Sequence, residues 1–528
     1  MSAPTGTVPL KSGRDRREPM TRPAGGMAGA VVTTYAARFA SMIAYVVLLP
    51  IVLPAFGAEA YGLYVLTVAL GALFQQDLGI GGATTRFIGV AAPSRDVARM
   101  RSVASASNVF FLVAAFLLSG ATALAFAVTV PNAIFGEHLE ATAWSLCVLG
   151  VANVFLILVF SSNRQILAGI GRLNDVNYLL IALAVFRIVL TVVVCVAGIG
   201  IVAVAVVDVL GILGFGIATY VLRRLRAPEV TARLRDFRWP VFRELFRISS
   251  QLMVLGIAGV VIMQAGGILT ALLLPIAFTA LYAAGQRIYL LVKEVTGSLA
   301  TAVLPTASMR EGGAEGPRNG ELFLRGTALA NMLMTLVLVP VLIFMPDIMQ
   351  LWLGPAGLGA AVVAQILVVS MFANNNHLLA VPILTAQGSV RGYAILHTIW
   401  AVCGVALAAL LGSAIGLPGI ALGLVIPILV LEPVYVVIAL RQLDVSGRDF
   451  LVRCVLLPFG SVAPLAAILF AVGLVEPPLP LIALLATGWV VAALVVYYFF
   501  ALDRASRLWL TSALPHRRRA ADPREDAP

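Results

Sequence analysis

Five ionisable residues stand inside long apolar runs of this chain: Arg38, Asp77, Arg287, Lys293 and Glu294. Charge is costly in such surroundings, and the groups that persist there usually face a cavity or a partner. The guanidinium fork of Arg38 and Arg287 matches phosphate oxygens bidentately, and Lys293 adds a compact point charge. Asp77 and Glu294 can balance these cations or bind a coupling ion. The set has the chemistry of anion recognition, and no catalytic constellation accompanies it. No GxxxxGK[ST] loop is present to cradle a nucleotide, and the cluster Gly79, Gly81 and Gly82 lies within an apolar run. The four histidines form no metal pair at helical spacing. Cys147, Cys195, Cys403 and Cys454 lie in or beside apolar runs, as small packing residues do. Neither a metal, a cofactor nor an enzymatic activity is expected. Energy must come from a proton or sodium gradient, or from the gradient of the substrate itself.

The elements that position these residues are set by the composition. Of 528 residues, 61% are hydrophobic and 12% charged. The charged share is about half that of an ordinary soluble domain, so lipid must cover most of the surface. The net charge of +11 does not point to nucleic acid, because the basic residues sit in short stretches between apolar runs. There, positive charge sets membrane orientation. Arginine supplies 34 of the 36 basic residues, which leaves Lys293 as the sole lysine inside an apolar segment.

A spanning helix needs about 20 mostly apolar residues. Fourteen segments qualify, at about 30–54, 60–87, 102–129, 141–163, 176–197, 200–222, 246–272, 277–308, 323–345, 359–384, 392–412, 417–439, 451–474 and 480–502. The connections after every odd segment carry no Lys or Arg, whereas those after the even ones all do. Arg95, Arg99 and Arg101 follow the second segment, Arg164 and Arg172 the fourth, Arg310 and Arg318 the eighth. Arg391 follows the tenth, and Arg441 and Arg448 the twelfth. This alternation predicts a multi-pass all-α membrane protein with both termini in the cytoplasm. The basic tail 1–29 is expected to be cytoplasmic and its first apolar segment uncleaved, being long enough to span. The stretch 223–245 is rich in Arg and carries Trp239, as a linker lying on anionic headgroups would. A solvated loop that serves only orientation fits it equally. The tail 503–528 is expected to be cytoplasmic.

Three weak internal matches share nearly one offset. Gly62-Leu63-Tyr64 is echoed by Ala280-Leu281-Tyr282, and Phe135-Gly136 by Leu353-Gly354, both 218 residues later. The stretch Ile166–Gly171 is echoed by Ile383–Gly388, 217 later. The pattern predicts two pseudo-symmetric six-helix lobes, 30–222 and 246–440, with an appended helix pair at 451–502. Parallel repeats of this kind hold their substrate site between the lobes.

At these residues the chain resembles the polysaccharide-exporter and O-antigen flippase family. That family belongs to a superfamily including multidrug/toxin extruders and lipid II flippases. The resemblance is carried by FGAEAYGLYVL (Phe56–Leu66), QDLGIGGATTRFIG (Gln76–Gly89), QILAGIGRLNDVN (Gln165–Asn177), ALYAAGQRI in the eighth segment, and LWLGP (Leu351–Pro355). It spans nearly the whole chain. It implies a transporter that moves a lipid-linked glycan, such as a lipopolysaccharide O-antigen precursor, across the bacterial inner membrane by alternating access. Membrane lipids and glycan-assembly enzymes are the partners it implies.

On that reading, Arg38, Arg287 and Lys293 line a shared cavity and bind the substrate's phosphates or acidic sugars, while Asp77 and Glu294 balance charge or couple ions. The other reading makes them structural ion pairs that close the lobes. Arg38 and Asp77 lie at similar depths, about 12 and 15 Å from the cytoplasmic face, so the two are expected to pair. Arg287 and Glu294 share a helix face, and Lys293 is rotated away by about 100°. Arg187 and Asp208 are expected to pair within the first lobe, and Asn374–His377 to hydrogen-bond between helices. Arg86, Arg164 and Arg247 are read as snorkelling cations. Glu432-Pro433 reads as a kink beside a buried carboxylate. Two other functions remain open: a cation-coupled multidrug extruder, and a membrane glycan polymerase or ligase. Deep charges that lean basic argue against the first, and short external connections against the second.

Overall fold

The structure is a computed structural model that describes residues 27–75, 79–311, 319–387 and 389–501. Asp77, Arg318 and most of both expected cytoplasmic tails lie outside the described residues. Among the described residues every regular element is helical, apart from one isolated bridge between Ile134 and Pro275. The first half comprises α1 (Met27–Phe74), α2 (Ile80–Ala91), α3 (Val97–Thr129), α4 (Glu140–Gly169), α5 (Leu173–Val196) and α6 (Ile201–Arg226). The second comprises α7 (Trp239–Leu273), α8 (Ala277–Glu311), α9 (Asn319–Ile343), α10 (Met345–Leu353), α11 (Leu358–Val369), α12 (Met371–Leu378), α13 (Ala380–Ala386), α14 (Arg391–Ile415) and α15 (Leu417–Leu443). The chain continues through α16 (Gly447–Phe450), π-wound turns over Leu451–Gly460, α17 (Ala463–Gly473) and α18 (Leu479–Val496).

Twelve helices among the described residues are long and apolar enough to cross a membrane. The fourteen expected segments exceed that number for two reasons. First, Val32–Phe74 counts as one run although it holds two segments. Gly57 interrupts it at φ 80°, ψ 163°, a conformation that suits glycine. Arg187 shows what happens there, because its guanidinium lies 4.5 Å from the Tyr45 ring and 2.8 Å from the Tyr64 hydroxyl. On a straight helix those tyrosines would be about 28 Å apart. The two arms of α1 therefore fold back on each other at Gly57. Second, the twelve leave out α8, whose stretch 277–294 holds three charged residues, Arg287, Lys293 and Glu294.

Two expected segments are broken. The second, 60–87, divides into the end of α1 and α2, with Gly79 at φ 77° starting α2. The tenth, 359–384, divides into α11, α12 and α13. Its first break falls at Ser370, whose hydroxyl donates to the Leu367 carbonyl at 2.6 Å and competes with the helical ladder. The basic linker is shorter than its sequence suggests, because α6 runs on to Arg226 and α7 starts at Trp239. Trp239 and Leu234 are exposed, as an interfacial segment requires. Arg223 corrects that reading, for it is buried, donating to Asn163 Oδ1 at 2.7 Å and to the Val230 carbonyl at 2.6 Å.

Element spacing repeats between the halves. α11 starts 218 residues after α4, α14 starts 218 after α5, and α15 starts 216 after α6. The halves meet where the connections lack basic residues. The Ile276 amide donates to the Ile134 carbonyl at 2.8 Å, and the Trp352 indole to the Val46 carbonyl at 2.9 Å. Gly62 faces the same junction, and a Cβ there would lie 2.2 Å from the Ile276 carbonyl oxygen. Gly62→Ala should therefore destabilise the fold by about 1–3 kcal/mol through overpacking. The check is the melting temperature of the purified protein, and an unchanged value would contradict this contact.

Candidate functional site

The first half places its deep charges by packing α5 and α6 against α1. Arg187 on α5 and Asp208 on α6 form the expected ion pair, with Nε 2.8 Å from Oδ1. The Tyr64 hydroxyl, from the second arm of α1, donates to Asp208 Oδ2 and accepts from Arg187. Both members of the pair are largely covered, at 19% and 14% side-chain exposure, so neither charge is left to lipid. A cavity of about 250 Å³ opens beside them, lined by Ser41, Tyr45, Tyr64, Gln75, Asn153 and Arg187 among others.

Tyr45, on the first arm of α1, joins this cluster to the second half. Its ring has Arg187 at 4.5 Å and Arg287, from α8, at 4.1 Å. Cations at these distances are attracted to the aromatic quadrupole. Among the described residues no carboxylate pairs with Arg287. Among the described residues the cluster thus holds two guanidinium groups and one carboxylate, Asp208, which pairs with Arg187. Arg187, Arg287, Tyr45, Tyr61 and Tyr64 line a gap of about 40 Å³ at this point, room for about one water.

Arg38 also crosses between the halves, but its observed partner is Glu294, with Nη1 2.9 Å from Oε1. The expected Arg38–Asp77 pair lies outside the described residues. The pair Arg38–Glu294 is partly open, at 42% and 27% side-chain exposure, and such a pair contributes little stability on its own. Lys293 follows the rotation read from its spacing. It turns away from α1 into the second half, with Nζ 3.8 Å from Met263 Sδ and 5.8 Å from the Tyr289 ring. There it lines a cavity of about 500 Å³ with Tyr289, Asn374, His377, His397 and Trp400. Of the three cations expected to line one cavity, Arg287 and Lys293 line different ones in this structure. Residues 287 and 294 face the junction between halves, whereas 293 faces a separate cavity, because a 100° step separates neighbours on a helix.

The asparagines of α12 bond between helices as expected. Asn331 on α9 donates to Asn376 at 2.8 Å, and Asn375 donates to Asn331 at 2.8 Å. His377 is different. Its Nδ1 lies 2.6 Å from Glu432 Oε2 on α15, with both side chains buried. Sequence reasoning named His377 and Glu432 separately and did not join them, since 55 residues lie between. Tyr45 and Tyr64 were missed, because an apolar run with a tyrosine reads as core. Among the described residues no group of three or more His, Cys, Asp or Glu could hold a metal ion.

Comparison with known proteins agrees with this architecture. The profile of a family described as polysaccharide biosynthesis protein matches residues 27–310. An inward-facing multidrug resistance MATE family transporter of the MOP superfamily aligns at TM-score 0.64 and 20% identity, over 76% of this chain and 94% of that one. The lipid II flippase MurJ, in an inward closed conformation, aligns at TM-score 0.66 and 13% identity, over 89% and 98%. A MOP superfamily transporter from Pyrococcus furiosus, whose binding pocket is described as having reverse polarity, aligns at 0.54 and 21%, over 79% and 94%. At such identities these likenesses show a shared fold. No curated protein sequence matches the chain significantly.

The buried pair supplies a test of the geometry. Asp208→Ala leaves Arg187 uncompensated and should cost about 3–5 kcal/mol, whereas replacing both by apolar residues of similar volume should cost much less. Denaturation of the purified wild type, single variant and double variant checks this. Equal losses in the single and double variants would contradict the pairing.

Proposed function

The chain belongs to the polysaccharide biosynthesis protein family, and from that premise we propose that it is a flippase moving a lipid-linked oligosaccharide or polysaccharide precursor across the cytoplasmic membrane by alternating access. The observation that carries the reading is the positive charge around Tyr45 among the described residues, where Arg187 and Arg287 come from opposite halves and the one carboxylate, Asp208, pairs with Arg187. A diphosphate-linked lipid brings negative charge to such a place, and the guanidinium fork suits its oxygens. Arg287 is the first phosphate ligand on this reading. Lys293 holds a second anionic or acidic-sugar group in the cavity of the second half, where Trp400 and Tyr289 offer apolar faces to sugar rings. The Arg38–Glu294 pair bridges the halves and must break if they part, which makes Glu294 a charge balance for Arg38. Asp77 is assigned the same class of role by its depth alone.

Transport needs no bond to be broken by the protein. The two halves need only exchange their contacts at one face for contacts at the other, and a proton or sodium gradient can bias that exchange. An O-antigen or other lipopolysaccharide precursor is one substrate of this class. The multi-pass chain would lie in the bacterial inner membrane, its ends in the cytoplasm, close to the enzymes that assemble the glycan. A cation-binding drug site would favour carboxylates at the junction of the halves, and among the described residues Asp208 is taken there by Arg187 and Tyr64 and Glu294 by Arg38. A glycan polymerase or ligase would need catalytic groups outside the membrane. Among the described residues the basic-free connections are short turns or the small helix α10.

The experiment is the leaflet distribution of the lipid-linked glycan in cells lacking the gene, complemented by variants. Loss of the gene should strand the intermediate on the cytoplasmic leaflet with surface polysaccharide absent. Arg287→Ala should cut transport about tenfold or more, the loss of one charge-assisted hydrogen bond to phosphate. Arg287→Lys should restore only part of it. Normal glycan on the outer leaflet, with new drug sensitivity, would shift the reading to an extruder.

A further inference from the structure

Glu432 and His377 are the most enclosed carboxylate–imidazole pair in the described residues. Glu432 is 6% exposed and His377 2%, and each comes from a different spanning segment. One Glu432 oxygen meets His377 Nδ1 at 2.6 Å, and the other, Oε1, is buried without a hydrogen-bond partner. An unmet carboxylate oxygen at this depth is costly unless the group is functional. The packing around the pair is aromatic. The Tyr435 ring stacks on His377 at 4.2 Å and 12°, and its hydroxyl reaches His397 Nδ1 at 2.8 Å. Tyr393 packs edge-on to both rings.

We propose that the His377–Glu432 pair is a proton-binding site, and that it opens on the cavity of the second half through His377, which lines that cavity beside His397 and Lys293. A proton suits the site better than a metal cation does. The imidazole already occupies one carboxylate oxygen, and the neighbouring faces are rings instead of further oxygens. One proton is shared between Nδ1 and Oε2, and its release leaves a carboxylate and a neutral imidazole, a net change of one charge without other chemistry. The titratable and charged groups facing the pair are His397 and Tyr393 from α14, Tyr435 one turn along α15, and Lys293 from α8 across the cavity. Asn374 on α12 adds a polar amide, and α11 and α13 carry no charged residue. Because Lys293 shares the cavity, an anion held there favours the proton-loaded pair, and linkage makes the effect reciprocal.

This site rests on the flippase reading only for its use as the coupling ion's seat. Proton binding itself is tested without any glycan. The full chain in liposomes is titrated with pH while its infrared difference spectrum is recorded in H₂O and D₂O. A glutamic carboxyl band that titrates, shifts when the protein carries ¹³C-glutamate, and is lost in both Glu432→Gln and His377→Gln is the expected result. Glu137→Gln, at an exposed glutamate far along the chain, should retain it. The isotope label identifies a glutamate in the unaltered chain, which keeps the test valid if a variant fails to fold. Absence, in the labelled wild-type protein, of a titrating glutamate band at the high frequency of a carboxyl buried away from water, distinct from that of the exposed glutamates, would overturn the proposal, whatever the glycan experiment shows. Persistence of the band at full amplitude in a folded Glu432→Gln protein would overturn it as well.

Discussion

An unpaired charge facing lipid is costly, and the placement of Arg187 follows from that rule more directly than anything else in the molecule. Its guanidinium needs Asp208 on α6, and it also needs the two tyrosines that only a folded-back α1 can bring together. The reversal at Gly57, the contact between α1 and α5, and the approach of α8 to α1 all converge on one cluster of side chains. Arg287 enters that cluster from the second half and shares the Tyr45 ring, so the same requirement that settles the first half also ties it to the second. A junction held by cation–aromatic contacts is suited to being remade. Its members keep a favourable neighbour when an anion replaces the ring.

The two halves repeat one helical arrangement and carry different chemistry in it. The positions that correspond to Arg187 and Asp208 by the repeat spacing are Val405 and Leu424, both apolar. The positions that correspond to His377 and Glu432 are Phe160 or its neighbour Val159, and Gly216. The helix spacing thus recurs between the halves while the polar groups differ, with arginine and aspartate in one half and histidine and glutamate in the other. On this reading proton binding falls to the second half, while anion binding draws on Arg187 from the first half and on Arg287 and Lys293 from the second.

Much of the frame was legible in the sequence, because the membrane imposes it locally. Apolar length and alternating basic loops mark out the helices, and among the described residues each of the fourteen expected segments contains helix, those at 60–87, 359–384 and 451–474 being interrupted. Arg187–Asp208 was readable, since two opposite charges on successive spans have few other partners. The rotation of Lys293 away from Arg287 and Glu294 followed from helical geometry alone. What could not be read depends on distance in space. Tyr45 and Tyr64 differ in no way from core tyrosines until the hairpin brings them to Arg187. Arg223 looked like one more cation of a basic linker, and only the fold shows its hydrogen bonds to Asn163 and Val230. Ser370 gave no sign in sequence that it would divide a spanning segment, although its bond to the Leu367 carbonyl explains the break.

The central claim is that the halves part at the face without basic loops when an anionic lipid-linked glycan is bound. In this structure that face is closed by Ile276 on Ile134 and by Trp352 on Val46. Spin labels at Glu137→Cys and Ala356→Cys, in a chain with Cys403→Ser, would flank the closed face on opposite halves. The interlabel distance should be measured by pulsed electron resonance in liposomes, with and without lipid-linked glycan extracted from cells lacking the gene. The account predicts a short distance alone and a second, longer population when the glycan is added. A single unchanged distance in both samples, from protein that still restores surface polysaccharide in cells, would contradict it.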